Sequence, residues 1–176
     1  MQTANALVYE YNDHYFVIQR STQGKVYDER MRGDDNVALY EKLPTDCSFG
    51  SLGTAVLGAL KKYDTVRPIA DPWELSKLNE QFCSWVGARG RKPFDRDSRC
   101  VQVIADREEL EIIPFDNCNK NPWYGPMTPE MGFKSKTATI NADSSFETVG
   151  EQIKRAFEAA TYHADRKAAT AQKGGP

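Results

Sequence analysis

The sequence predicts an α+β fold in which helices pack on an antiparallel or mixed β-sheet, within a single domain over residues 1–164. Three observations predict it: a strand–turn–strand pattern near the start, a second such pattern around residue 107, and two helical segments that share one sequence pattern. With 176 residues, 40% of them hydrophobic, the chain is long enough to bury one substantial core. Residues 165–176 lack large apolar side chains, so we expect a disordered C-terminal tail.

The first strand pair is expected within residues 6–19. Segments 6–11 and 15–19 are rich in Val, Ile, Tyr and Phe. Asn12, Asp13 and His14 lie between them and are typical of a hairpin turn. Residues 28–36 are polar and predict a solvated loop, and residues 37–40 predict a short strand.

Two segments that begin at Asp46 and Asp143 read DCSFGSLGTAVLGAL and DSSFETVGEQIKRAF. In each, apolar residues recur at i, i+3, i+7, i+10 and i+11 from the phenylalanine, which predicts a helix with one apolar face. An oxygen of Ser48 or Asp46 is expected to cap the first helix. Ser144 and Glu147 fit a capping box at the second helix.

The glycines of the repeated pattern are its most informative residues. Gly53 and Gly150 hold the same position in both segments, and a glycine inside a helix costs about 1 kcal/mol relative to alanine. We therefore expect the helix backbone at these positions to approach a sheet or the other helix closely. The elements upstream repeat as well, so the sequence predicts a duplication of ββ(β)α halves.

The region between the two repeats predicts one more helix. Asp71 is placed to cap it, Pro72 fits its first turn and Gly87 can end it. Further along the chain, the sequence predicts a basic loop at 87–99, hairpin strands at 100–104 and 110–115, a long loop at 117–132 and a short strand at 137–140.

The sequence carries no recognisable catalytic or metal-binding motif. His14 and His163 belong to no ligand spacing, and the four cysteines form no CxxC pair. We therefore expect a protein that is not an enzyme and has no cofactor or metal, with free thiols in a reducing cytoplasm. A small cytoplasmic hydrolase, with a site that only the fold assembles, is an alternative interpretation.

The charge balance favours neither nucleic acid nor a membrane as a partner. The formal net charge is −2 and the pI is about 5.8. No apolar run approaches the length of a membrane span, and the N-terminus does not have the pattern of a signal peptide. The basic residues of segment 89–99 offer a second alternative, a nucleic-acid-binding module.

Acidic residues form two groups, one within residues 28–41 and one within residues 106–111. Such groups steer a basic protein partner, and aromatic residues in the long loop can anchor it. The candidate partner-binding residues are Asp34, Asp35, Glu41, Asp106, Glu108, Glu109, Glu111, Trp123 and Tyr124.

Several segments together resemble the CdiI family, the immunity proteins of contact-dependent growth inhibition. The segments PTDCSFGSLGTAVLGAL and ADSSFETVGEQIKRAF resemble the helix starts that close each half of these proteins, and FVIQRSTQGKVY and CVQVIADREELEIIPF are similar in style. The resemblance runs from about residue 15 to residue 157. It implies a cytoplasmic protein, not an enzyme, that binds the C-terminal toxin domain of a cognate effector. These toxins are commonly nucleases, and the resemblance implies that binding blocks the active site or the nucleic-acid surface.

Overall fold

A computed structural model describes residues 4–20, 37–62, 72–118, 123–127 and 136–161. Within these residues one sheet of seven strands has the order β3-β2-β1-β4-β5-β6, and β7 also pairs with β5. Every pairing is antiparallel, which confirms the α+β fold with an antiparallel sheet. The elements are β1 (Ala4–Tyr11), β2 (His14–Arg20), β3 (Val37–Pro44), α1 (Phe49–Lys61), α2 (Pro72–Val86), α3 (Arg91–Asp97), β4 (Arg99–Asp106), β5 (Glu109–Cys118), β6 (Trp123–Pro126), β7 (Ala138–Asn141) and α4 (Phe146–Ala159).

Both predicted hairpins are present. Asn12 and Asp13 have φ angles of 47° and 58°, as a two-residue type I′ turn requires, and Tyr11 pairs with His14. The second hairpin turns at residues 107 and 108, where Arg107 has a φ of 53°. Polar residues that tolerate positive φ therefore set the register of two of the central strand pairs.

Helices cover both faces of the sheet. Helices α1 and α4 pack on one face, where alternate residues of the central strands, including Val8, Val17 and Val101, form the larger core. On the other face, Phe82 and Phe94 of α2 and α3 pack with Tyr9, Phe16 and their neighbours in an aromatic core. Each central strand is thus buried on both faces.

The two predicted halves adopt equivalent arrangements. Strands β1, β2 and β3 lead into α1, and β4, β5 and β7 lead into α4, with β1 and β4 paired at the centre. A backbone hydrogen bond ties the end of the third strand to the hairpin turn in each half. Thr45 N–H donates to Asp13 at 3.0 Å, and Ala142 N–H donates to Glu108 at 2.7 Å. The halves are therefore related by an approximate twofold axis.

The repeated glycines lie where the two helices touch. A Cβ on Gly53 would lie 2.8 Å from the carbonyl carbon of Phe146, and a Cβ on Gly150 would lie 2.7 Å from that of Phe49. Such separations are shorter than real Cβ contacts. This confirms the predicted close approach and identifies the partner as the other helix rather than the sheet.

Helix caps confirm one sequence prediction and correct another. Ser48 caps α1 by accepting a hydrogen bond from Ser51 N–H at 3.1 Å. At α4 the cap is Ser145, which accepts from Thr148 N–H at 3.2 Å. The predicted Ser144 capping box is wrong, because the helix begins one residue later than the box requires.

Two predicted loops contain regular structure. The predicted basic loop at 87–99 is wrong over residues 91–97, which form α3, because burial of Phe94 in the aromatic core stabilises a helical turn there. The predicted long loop at 117–132 contains β6, which extends the sheet by pairing with β5. Helix α2 begins at Pro72 and ends before Gly87, whose φ is 74°, as predicted. The predicted loop at 28–36 and the predicted tail at 165–176 lie outside the described residues.

Candidate partner-binding surface

The β4–β5 hairpin concentrates acidic side chains at one end of the sheet. Asp106 and Glu109 are directly opposite each other across the two strands, and Glu111 follows two residues later on the same face. Glu108 lies in the turn itself, and all four side chains are exposed. We call these four residues the acidic hairpin. The fold therefore brings these four of the predicted residues together.

The cross-strand pair is unfavourable for folding. Like charges directly opposite each other destabilise a strand pair by a few tenths of a kcal/mol to about 1 kcal/mol. Arg107 lies between the two strands in the turn, and it is the cation nearest in sequence. A neutral or oppositely charged pair at positions 106 and 109 would make the hairpin more stable. The like-charged pair is therefore consistent with selection for a negative surface rather than for stability.

The start of α4 adds further carboxylates beside the hairpin turn, on the other face of the sheet from Asp106, Glu109 and Glu111. Ala142 N–H donates to the carbonyl oxygen of Glu108, so the acidic hairpin touches the turn that leads into the helix. Asp143 follows directly and is exposed, and Glu147 is exposed in the first turn of α4. A carboxylate near a helix N-terminus is also favoured by the helix dipole.

The fold separates the other predicted partner-binding residues from the acidic hairpin. Glu41 is exposed on β3, about 19 Å across the sheet from β5 by strand spacing, and belongs to the face that carries α1 and α4. Trp123 and Tyr124 are in β6, opposite Cys118 and Asn117, about 20 Å along β5 from Glu111. Asp34 and Asp35 lie outside the described residues.

The basic residues of segment 89–99 make intramolecular contacts. Arg91 donates to the buried carboxylate of Asp95 at 2.8 Å and lies over the ring of Phe82 at 4.9 Å. Arg99 forms a two-pronged ion pair with Glu10 at 2.7 and 2.8 Å. Their guanidinium groups therefore stabilise the fold, whereas a solvated basic loop would leave them in water.

Arg96 is also paired, although it is exposed. It donates to both oxygens of Asp97, and this hydrogen bonding, with the Asp97 charge, raises the pKa of Arg96. Arg89 and Lys92 are the exposed cations that remain in the segment. A nucleic-acid surface needs a larger contiguous positive excess than two such residues provide.

An open groove of about 430 Å³ lies beside α2, and Cys83 is one of the residues that line it. Partial burial raises the pKa of this thiol, against a smaller lowering by the Arg91 charge. Burial likewise raises the pKa of Cys47, and Lys154 lowers it less. A raised pKa keeps a thiol in its neutral and weakly nucleophilic form at neutral pH.

The described part of the chain holds no cluster of three or more His, Cys, Asp or Glu residues arranged for a metal ion. Within the same residues, no helix is both long and apolar enough to cross a membrane.

The structure exposes two aromatic residues that the sequence pattern assigns to apolar helix faces. Phe49 is 46% exposed and Phe146 is 47% exposed, although both begin the predicted i, i+3, i+7 series. Each is the first residue of its helix, directly after the serine cap. That position was the available signal, because the first turn of a helix projects beyond the surface that the later turns bury.

Neither a family model nor a curated protein matches this chain. Solved structures do match. A protein of unknown function from Neisseria meningitidis has a TM-score of 0.65 at 17% identity, over 91% of this chain and 96% of its own. A chain of the CdiA-CT/CdiI toxin and immunity complex from Yersinia pseudotuberculosis has a TM-score of 0.65 at 13% identity, over 92% of this chain and 99% of its own. At these identities the likeness shows that this chain shares their fold.

Proposed function

We propose that this chain is an immunity protein that binds and neutralises the C-terminal toxin domain of a contact-dependent growth inhibition effector. The observation that carries the proposal is the fold likeness to a chain of the Yersinia pseudotuberculosis toxin and immunity complex, over nearly the full length of both chains. In this role the chain acts in the cytoplasm, where the toxin arrives, and it works by binding rather than by catalysis.

The acidic surface supports the immunity role over the toxin role. A toxin that acts on nucleic acid presents cationic groups to the phosphate backbone. The acidic hairpin and the start of α4 present carboxylates instead, as a complement to such a surface. Binding there covers the surface that the toxin uses for nucleic acid and raises the rate of association through charge attraction.

The function is tested by co-expression with the C-terminal domain of the effector encoded directly upstream. We expect that domain to stop growth when it is expressed alone, and this chain to restore growth and to bind the domain in a titration. If expression of this chain alone stops growth, the chain is the toxin member of such a pair. If it neither binds the domain nor restores growth, the proposed function is wrong.

Charge reversal tests which acidic group faces the toxin. We expect the double substitution Glu108→Lys and Glu109→Lys to slow association at least tenfold at low salt, with a smaller effect at high salt. Glu41→Lys makes the same kind of change about 19 Å away across the sheet and serves as the control. If Glu41→Lys slows association more than the double substitution does, the β3 edge is the binding surface.

A further inference from the structure

We propose that Phe49 and Phe146 together form an aromatic anchor that inserts into a cationic protein partner. The inference rests on the proposed function, because the partner it names is the toxin domain. The two residues and the carboxylates of Asp46, Asp143 and Glu147 beside them are called the crossing surface below.

Exposure singles out this pair. In the part of the chain that the structure describes, three large hydrophobic side chains are exposed: Leu39, Phe49 and Phe146. Two of the three hold matching positions in the two halves, each at the first residue of one of the two helices that touch at Gly53 and Gly150. An isolated exposed apolar residue is ordinary, whereas two exposed aromatic residues beside one helix contact offer a partner the kind of contacts found at binding hot spots.

The contact between the helices holds the two phenylalanines in fixed positions. The backbone of Phe146 packs against Gly53, and the backbone of Phe49 packs against Gly150. Both residues follow serine caps, so their backbones lie within hydrogen-bonded first turns. An anchor that is rigid before binding loses little conformational entropy when the partner arrives.

Exposed carboxylates lie close to both phenylalanines in the chain. Asp46 and Asp143 lie three residues before the two phenylalanines and are exposed. Glu147 reaches across to the other helix, where its Oε1 lies 2.9 Å from the position of a Cβ on Gly50. Aromatic rings within an acidic rim fit a partner that offers an apolar pocket among lysines and arginines.

The two cations of α4 are already engaged. Lys154 Nζ donates to the carbonyl oxygens of Thr45 and Cys47 at 3.0 and 2.7 Å, and it lies 5.4 Å from the centre of the Phe49 ring. Arg155 donates to Glu151 at 2.6 Å. The three carboxylates of the crossing surface outnumber the single positive charge of Lys154, so the net charge offered to a partner is negative. That charge opposes pairing with a second copy of the chain, since both surfaces would carry the same sign.

The test compares the double variant Phe49→Ala and Phe146→Ala with the wild-type chain in binding to the toxin domain. Each ring leaves roughly 100 Å² for a partner to cover, since a buried phenylalanine covers about 150–250 Å². Loss of both contacts is expected to raise Kd by about 100-fold or more, mainly through faster dissociation. Leu39→Ala removes an apolar side chain of similar exposure, 39%, from β3 and is expected to change Kd by less than about threefold.

A second measurement needs no variant. Hydroxyl-radical footprinting of the wild-type chain should show both phenylalanines protected in the complex, while Leu39 is modified at the same rate with and without the toxin domain. This readout stands even if the double variant does not fold, which circular dichroism would reveal.

The outcomes separate this inference from the proposed function. If the wild-type chain binds the toxin domain while the double variant binds equally well, or while both rings stay unprotected, the anchor is refuted and the immunity function stands. If Leu39→Ala raises Kd more than the double variant does, the contact lies on β3, and this also refutes the anchor. A wild-type dimer that the double variant loses makes a second copy the occupant, which refutes the cationic partner. Absence of any binding by the wild-type chain overturns both proposals.

Discussion

Substitution of Gly53 by alanine is the sharpest test of the packing between α1 and α4. A Cβ there would lie 2.8 Å from the Phe146 carbonyl carbon and 3.1 Å from its Cα, whereas ordinary contacts are 3.4–4 Å. The neighbouring atoms are backbone, so no rotamer change relieves the contact. The carbonyl oxygen of Phe146 lies closer still to that position, so the helices must separate by more than about 1 Å, and a gap of that size removes about half of each dispersion contact between them.

Two opposing effects set the change in the free energy of unfolding that Gly53→Ala causes. Alanine gains about 1 kcal/mol over glycine in helix propensity. Overpacking of a tight contact costs about 1–3 kcal/mol, and the upper end applies where backbone meets backbone. The expected result for Gly53→Ala is a net loss of about 2 kcal/mol in the free energy of unfolding. For a chain of this size the loss corresponds to a drop in Tm of roughly 4–8 °C.

The assay is urea unfolding followed by circular dichroism, with Gly50→Ala as the control in the same helix. A Cβ on Gly50 meets only the carboxylate end of Glu147, which is exposed and able to move, so this variant should be neutral or slightly more stable. The double variant Gly53→Ala and Gly150→Ala should cost less than the sum of the single variants, because one separation relieves both clashes. A Gly53→Ala chain as stable as the wild type would refute the reasoning.

Three further predictions concern stability and thiol chemistry. Arg99→Ala removes the guanidinium group that donates to both oxygens of the half-buried Glu10 carboxylate and should cost about 3 kcal/mol in urea unfolding; a loss under about 1 kcal/mol would contradict the role of the pair. Ser145→Ala removes the observed α4 cap and should lower the free energy of unfolding by about 1 kcal/mol. Ser144→Ala should change the same free energy by less than about 0.5 kcal/mol. A larger loss for Ser144→Ala than for Ser145→Ala would support the predicted capping box instead. Burial raises the pKa of Cys47. The rate at which iodoacetamide alkylates Cys47, followed by peptide mass spectrometry, should therefore rise with pH through a midpoint above that of the urea-unfolded chain. An equal or lower midpoint would contradict the effect of burial.

Local sequence signals predicted most of the scaffold because they act within a few residues. The turn at Asn12 and Asp13, the helix start at Pro72 and the stop at Gly87 depend on backbone preferences of those residues alone. The matched glycines Gly53 and Gly150 carry information of longer range, because a conformational cost that recurs at the same helical position indicates a tertiary contact that offsets it.

The errors arose where tertiary contacts override local composition. Arg91 to Asp97 reads as a polar loop, yet the single apolar residue Phe94 is fully buried and the carboxylate of Asp95 pairs with Arg91. Charge patterns likewise located the acidic hairpin but could not say that Glu41 belongs to the other edge of the sheet, because strand order depends on long-range pairing. The exposure of Phe49 and Phe146 depends on where the helices meet, which apolar periodicity does not record.

The two halves differ most informatively where they are closest. Gly50 and Glu147 hold equivalent positions after Phe49 and Phe146, and the Glu147 side chain occupies the space directly above Gly50. Two large side chains related by the approximate axis would compete for that one space, so only one half can carry a carboxylate there. Near the axis, the symmetric packing of the two helix backbones therefore requires different side chains in the two halves. A partner that contacts the crossing surface meets two equivalent aromatic rings with a single glutamate between the helices, which fixes one of the two orientations that the rings alone would allow.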